Sequence, residues 1–241
     1  MGSIAALLAL SGCAGVQSTL DPRGPAAESI AQSHWVMVAG ATFILVVVTA
    51  MSLYAVYRNP DRRLNVSPRA LILGGGVLFP IVVLTALIMY ALVLMDDLRG
   101  TSPRDALTVR ITAQQWAWEV HYPAQGDRAD VRLSNELRIP VGRPVRIELT
   151  SPDVIHSFWI PSLAGKLDVI PGHSREITIR ADTPARLRGQ CAEFCGLEHA
   201  RMILAVVAEP AADFDAWLAD AGASARTARL GDESTAREVS P

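Results

Sequence analysis

The sequence predicts a two-helix membrane hairpin followed by an all-β domain, a β-sandwich or small Greek-key barrel. Two apolar blocks in the first hundred residues predict the hairpin. The rest follows from a switch, after Thr108, to short alternating segments broken by Pro and Gly, in a chain of 241 residues with positive mean hydropathy.

The chain opens with the apolar stretch Ile4 to Leu10 and then Ser11, Gly12 and Cys13. This resembles a bacterial lipoprotein signal, in which cleavage before Cys13 leaves a lipidated N-terminus on the outer side of the inner membrane. N-myristoylation is excluded because position 6 is Ala rather than Ser or Thr. Residues 1–22 are therefore read as signal and linker.

The hairpin is expected over 28–98, with membrane helices at about 35–57 and 71–95. At ~1.5 Å per helical residue each is long enough to cross a hydrocarbon core of ~30 Å. Trp35, Tyr54 and Tyr57 fit interfacial aromatic belts, and Gly74, Gly75 and Gly76 permit close approach of a neighbouring helix. Pro80 lies inside the second helix and predicts a kink there. Between the helices, Arg58, Arg62, Arg63 and Arg69 face only Asp61. Positive loops stay in the cytoplasm, so Cys13 and everything after Met95 fall on the periplasmic side of the inner (plasma) membrane.

The β domain is expected over 104–212. Its strands are read at Leu107 to Ile111, Trp116 to Tyr122, Val131 to Ile139, Val145 to Thr150, Glu176 to Arg180 and Ile203 to Ala208. A short helix, Ala211 to Leu218, and a disordered tail then close the chain (213–241). The formal charge of −2 names no partner by itself, and no nucleic acid is expected.

The chemistry is concentrated in Cys191 to Met202, a Cys-x-Glu-x-Cys-x-x-x-His-x-x-Met run. Two thiols, an imidazole and a thioether select a soft metal, and the thioether favours copper. His156, 35 residues upstream of Cys191 after a Ser-Pro-Asp turn, can return to the same place through one hairpin. One upstream His with a downstream Cys, His, Met loop on a β-sandwich is the cupredoxin arrangement. A blue-copper site needs one Cys, and here there are two. Thiolates this close repel unless a cation compensates, and two coppers bridged by both sulfurs would do so. Taken alone, Cys191 and Cys195 would as readily form a disulfide, Met202 and His156 pack in a core, and Glu193 sit in solvent.

Together with Gln115-Trp116-Ala117-Trp118, Asp153 to Ser157 and Lys166 to Gly172, the loop makes the chain resemble subunit II of a bacterial haem–copper cytochrome c oxidase from about Trp35 to Leu218. The resemblance implies a cupredoxin-like periplasmic domain holding a binuclear copper (CuA) centre. Cys191 and Cys195 would bridge the coppers, with His156, His199 and Met202 terminal and Glu193 giving its backbone carbonyl. The Glu193 side chain would reach a magnesium ion shared with subunit I. Trp116 would receive electrons from cytochrome c, which pass to haem a in subunit I for reduction of O2 to water coupled to proton translocation. Subunit I, subunit III and the membrane are the implied partners.

Three other classes share parts of this pattern. A quinol-oxidase-type subunit II is structural and lacks the ligands, and a copper-delivering assembly protein would carry a thioredoxin-like domain and one anchor. A nitrous oxide reductase bears a similar loop without the hairpin. Two departures stand out from the resemblance. Ala117 replaces an aromatic that is frequent there, and no carboxylate lies near Leu73, where many relatives offer one to a proton path.

Overall fold

A computed structural model describes residues 14–62, 66–98, 106–124 and 130–238. Cys13, the proposed lipidation site, and Arg63 of the basic turn lie outside the described residues. The chain divides into two compact units, 32–100 and the remainder.

The first helix, α1, spans Pro25–Tyr57 and starts ten residues before the apolar block. The second begins as a helical turn, Pro68–Ala70, continues as a π-helix, Leu71–Leu78, and becomes α2, Phe79–Leu98. Both helices present entirely unburied apolar windows, as membrane spans do. Within the hairpin the Ser33 and Tyr90 hydroxyls lie 3.2 Å apart and tie α1 to α2.

The kink expected at Pro80 takes the form of that π-helix. Proline has no N–H and its ring presses on the carbonyl four residues back, which is Gly76. In the wider π turn the Phe79 N–H reaches back five residues to the Gly74 carbonyl. None of the three glycines has an atom beyond its own helix within 4 Å of where a Cβ would stand, so this stretch is open on that side.

Among the described residues, the β domain has ten strands in two five-stranded sheets. The first sheet has the order β3-β2-β1-β5-β8, with β1 Leu107–Gln114, β2 Ala117–Tyr122, β3 Val131–Ser134, β5 Val145–Thr150 and β8 Arg175–Ile179. The second has the order β4-β10-β9-β6-β7, with β4 Glu136–Pro140, β6 His156–Trp159, β7 Leu167–Val169, β9 Ala185–Cys191 and β10 Ile203–Glu209. Most neighbours run antiparallel, but β1 pairs parallel with β5 and β4 with β10. This is the cupredoxin-like barrel expected from the sequence, with alternate residues such as Val109, Ile111, Leu137, Ile147, Phe158 and Leu204 buried between the sheets.

Several elements depart from the sequence reading. The single strand read from Val131 to Ile139 is two strands, one in each sheet. The switch occurs at Asn135, whose φ of 57° breaks the extended run. Its side-chain oxygen accepts the Trp118 N–H and its own N–H donates to the Trp118 carbonyl, both at 2.8 Å. Strands β6, β7 and β9 are additions, too short or too rich in Gly, Arg and Gln to show a clean alternation. The last helix, α3, spans Ala211–Glu238 rather than ending at Leu218, in keeping with the helix-favouring Ala and Arg content beyond Gly222.

Helix α3 seals one end of the barrel through Phe214 and Leu218, both buried. Tyr122 stacks edge-on against Trp217 at 5.5 Å. The Tyr122 hydroxyl donates to the Arg138 carbonyl and accepts the Arg138 N–H, each at 2.8 Å. Burial raises its pKa well above the usual phenol value, so it stays a neutral donor.

Candidate metal centre

Three loops build the centre. The first is the two-residue turn Gln115-Trp116 between β1 and β2, which pairs Gln114 with Ala117 across its base. Trp116 therefore sits at a hairpin tip rather than in the strand read from the sequence. The second is the turn Ser151 to Ile155 leading into β6, and the third runs from Cys191 at the end of β9 to Met202 before β10. Backbone bonds lock the third loop at its ends: the Cys191 N–H donates to the Met202 carbonyl at 3.0 Å and the Ala192 N–H to the Ser157 carbonyl at 2.9 Å.

The donors converge inside these loops. His156, Cys191 and Cys195 are all buried and offer ligand atoms within 4.8 Å of one another. The two sulfurs are 3.8 Å apart, far from the ~2.05 Å of a disulfide, and both thiols are free. Each thiol has its own imidazole: His156 Nδ1 lies 3.8 Å from Cys191 Sγ, and His199 Nδ1 lies 3.6 Å from Cys195 Sγ. The Met202 sulfur is 3.8 Å from Cys195 Sγ, and the Glu193 carbonyl is 3.2 Å from Cys191 Sγ. Two thiols, two imidazoles, a thioether and a carbonyl lie close together, with His156, Cys191, Cys195 and Met202 buried and His199 half-buried, a donor set that suits copper chemistry.

Asp153 orients the first imidazole. Its Oδ1 accepts the His156 Nε2–H at 2.9 Å, which leaves Nδ1 as the lone-pair nitrogen facing the thiols. The same carboxylate accepts the Gln115 and Val154 N–H groups at 2.7 and 2.6 Å and the Ser151 hydroxyl at 3.0 Å. Burial pushes its pKa up, but the bonds from His156, Gln115, Val154 and Ser151 outweigh it and hold the group at about 2. At Cys195 nothing outweighs burial, which together with the neighbouring Cys191 pushes the thiol up to about 12.

The Cys195 carbonyl accepts from two donors on the hairpin tip, Gln115 Nε2 at 2.7 Å and Trp116 Nε1 at 3.2 Å. Gly196 makes this approach possible. It has φ of +119°, and a Cβ there would stand 3.0 Å from Gln115 Nε2 and 3.2 Å from the Trp116 ring.

The structure thus gathers His156, Cys191, Cys195, His199, Met202 and the Glu193 carbonyl around one volume, with Trp116 one hydrogen bond away. The Glu193 side chain points into solvent. Asp153 and Gln115, which in the sequence are only parts of longer motifs, hold the His156 imidazole and the Cys195 carbonyl by hydrogen bonds. An Asp three residues before a ligand His is a signal that could have singled out the first, whereas nothing local marks Gln115.

The profile of the family described as "Cytochrome C oxidase subunit II, periplasmic domain" matches residues 124–209. Cytochrome c oxidase subunit 2 of Alkalihalophilus pseudofirmus is 29% identical over 226 residues, 88% of this chain and 64% of that one. The Synechocystis protein of the same name is 39% identical over 121 residues, 50% of this chain and 34% of the other. The chain therefore spans between a third and two thirds of the length of these relatives. Among solved structures, the periplasmic domain of subunit II of cytochrome oxidase (CoxB) of Bradyrhizobium japonicum is 31% identical, covering 50% of this chain and 96% of that domain, with a TM-score of 0.46. The matched sequence runs through β3 to β10 and contains every donor of the buried centre. On that agreement, the chain belongs to the cytochrome c oxidase subunit II family.

Proposed function

We propose that this chain is the electron-accepting subunit of a membrane-bound cytochrome c oxidase, with two coppers held by Cys191, Cys195, His156, His199, Met202 and the Glu193 carbonyl. The observation that carries this is the pairing of each buried thiol with its own imidazole. A mononuclear site would leave one of the two thiols without a role. Copper bound there would supply a one-electron acceptor of low reorganisation, taking electrons from cytochrome c and giving them to haem a of subunit I.

The protein's own residues do the positioning. Asp153 fixes the His156 tautomer, the barrel excludes water from both thiols, and the Gln115-Trp116 tip clamps the Cys195 carbonyl. Trp116 is half-exposed and bonded to that carbonyl, which makes it the natural contact for an incoming donor. The exposed Glu193 carboxylate is the group available to a magnesium ion shared with subunit I, which reduces O2 to water with proton translocation. The basic turn after α1 would face the cytoplasm and the barrel the periplasm of the bacterial inner membrane, with Cys13 as a lipid anchor on the same side as the barrel.

The test is the metal content of the whole chain purified in detergent. Two coppers per chain and a mixed-valence electron paramagnetic resonance signal spread over both nuclei are expected. One copper with a blue-copper spectrum would sink the proposal.

A further inference from the structure

The segment preceding α1 lies along the barrel and touches the strand that delivers Cys191. Strand β6 pairs with β9 only at Gln190 and Cys191, so β9 has an open edge just before them. The Val16 carbonyl fills that edge by accepting the Arg188 N–H at 2.9 Å. One residue on, the Gln17 side-chain amide donates to the side-chain oxygen of Gln190, the immediate neighbour of Cys191. The Ser18 carbonyl accepts the Ser162 hydroxyl at 3.1 Å. The Arg23 N–H donates to the Ser162 carbonyl at 2.7 Å, and the Arg23 carbonyl takes the Asp182 N–H at 2.8 Å.

Close packing seals the far end of the segment. Gly24 is buried, and a Cβ there would stand 2.1 Å from the Arg180 carbonyl oxygen, so only glycine permits the contact. Ala27 is buried too, and its N–H reaches the Leu163 carbonyl at 3.3 Å. Between segment and barrel lies a cavity of about 530 Å³ whose lining includes Thr19, Ile30, Lys166, Cys191 and His199. The segment therefore walls the flank from which two of the metal donors can be reached.

We propose that residues Val16–Gly24 form a clasp for the copper centre, in which Gln17 is a positioning residue acting through Gln190 on Cys191 and the segment limits access to that thiol. The hydrogen bond at Gln190 fixes the residue whose backbone sets the Cys191 direction, and the edge bond at Arg188 fixes the strand behind it. Nothing in the clasp touches the metal. Its role in tuning the centre rests on the copper reading above, whereas its role as a screen over Cys191 does not.

Two variants of the full chain test it. Gly24→Val forces the segment off Arg180 without altering any donor, and Gln17→Ala removes one bond while leaving the packing. In metal-free chain, alkylation of Cys191 followed by peptide mass mapping is expected to be at least about tenfold faster in Gly24→Val, because exchange with an open state sets the rate. In copper-loaded chain, Gln17→Ala is expected to shift the hyperfine pattern and midpoint potential. Gln17→Glu should restore the hyperfine pattern, since the Gln190 amide can turn to donate to a carboxylate, while its added negative charge lowers the potential by itself. Unchanged alkylation in Gly24→Val together with an unchanged spectrum in Gln17→Ala would overturn the proposal. If the wild-type chain takes up fewer than two coppers, the function proposed above falls and the alkylation rate alone decides the clasp.

Discussion

At the scale of single residues, Asp153 and Cys195 have opposite environments although they are joined through His156 and Cys191. Asp153 accepts four hydrogen bonds and stays ionised, so its loss should be felt at the metal as well as in the fold. Asp153→Asn is expected to weaken copper affinity roughly 10- to 100-fold, the usual cost of removing a partner that orients a ligand histidine, as read by competition with a copper chelator. Cys195 is held at about 12 against an ordinary 9.0. A raised thiol pKa means the folded state keeps the proton more tightly than the unfolded one. Its contribution to stability is therefore complete below pH 9 and is lost as pH rises from 9 towards 12. Metal-free chain should show a thermal midpoint that falls between pH 8 and pH 10.5, and Cys195→Ala should flatten that slope.

At the scale of elements, the turns decide more than the strands. Asn135 holds a left-handed backbone and both Trp118 main-chain groups, and it moves the chain from one sheet to the other. Asn135→Ala is expected to cost about 1–3 kcal/mol through the lost bonds and the disfavoured φ, with Asn135→Gly costing less, as measured by urea unfolding. The same residue shows why the sequence reading stopped where it did. Val131 to Ile139 alternates well enough to be read as one strand, and a single Asn between two good strand segments gives no sign of a change of sheet. The donor loop was legible because its spacing is local and chemically unusual. Strands β6 and β9 escaped because their residues answer to the metal site and to neighbouring strands rather than to a two-residue period. The Gln115 clamp escaped because it is a contact between residues 80 apart in sequence.

At the scale of the whole molecule, the surface around the centre combines large exposed apolar side chains with few charges. Phe194 is 76% and Leu197 93% exposed, while Glu198 pairs with Arg201 at 3.2 Å and the Asp153 carboxylate is bonded to His156. Residues 105–221 carry 16 acidic against 12 basic side chains, a weak field for steering a cationic donor. The rate of electron acceptance from cytochrome c is expected to change less than about threefold between 20 and 200 mM salt, against the 10- to 1,000-fold range available to steered pairs. Leu197→Asp should slow it while leaving the copper spectrum unchanged, as stopped-flow reduction would show.

The parallel pairing of β4 with β10 joins Glu136 to Ala205 and Pro140 to Glu209. Contacts so distant along the chain form late and slowly, and here they await the last strand to leave the ribosome. A nascent chain that has reached Met202 already holds every donor, yet it has no tenth strand to bring the donor loop back to β9. A chain cut after Met202 is therefore expected to leave the donor loop without its closing strand and to lose metal uptake, as the metal content of the truncated chain would show.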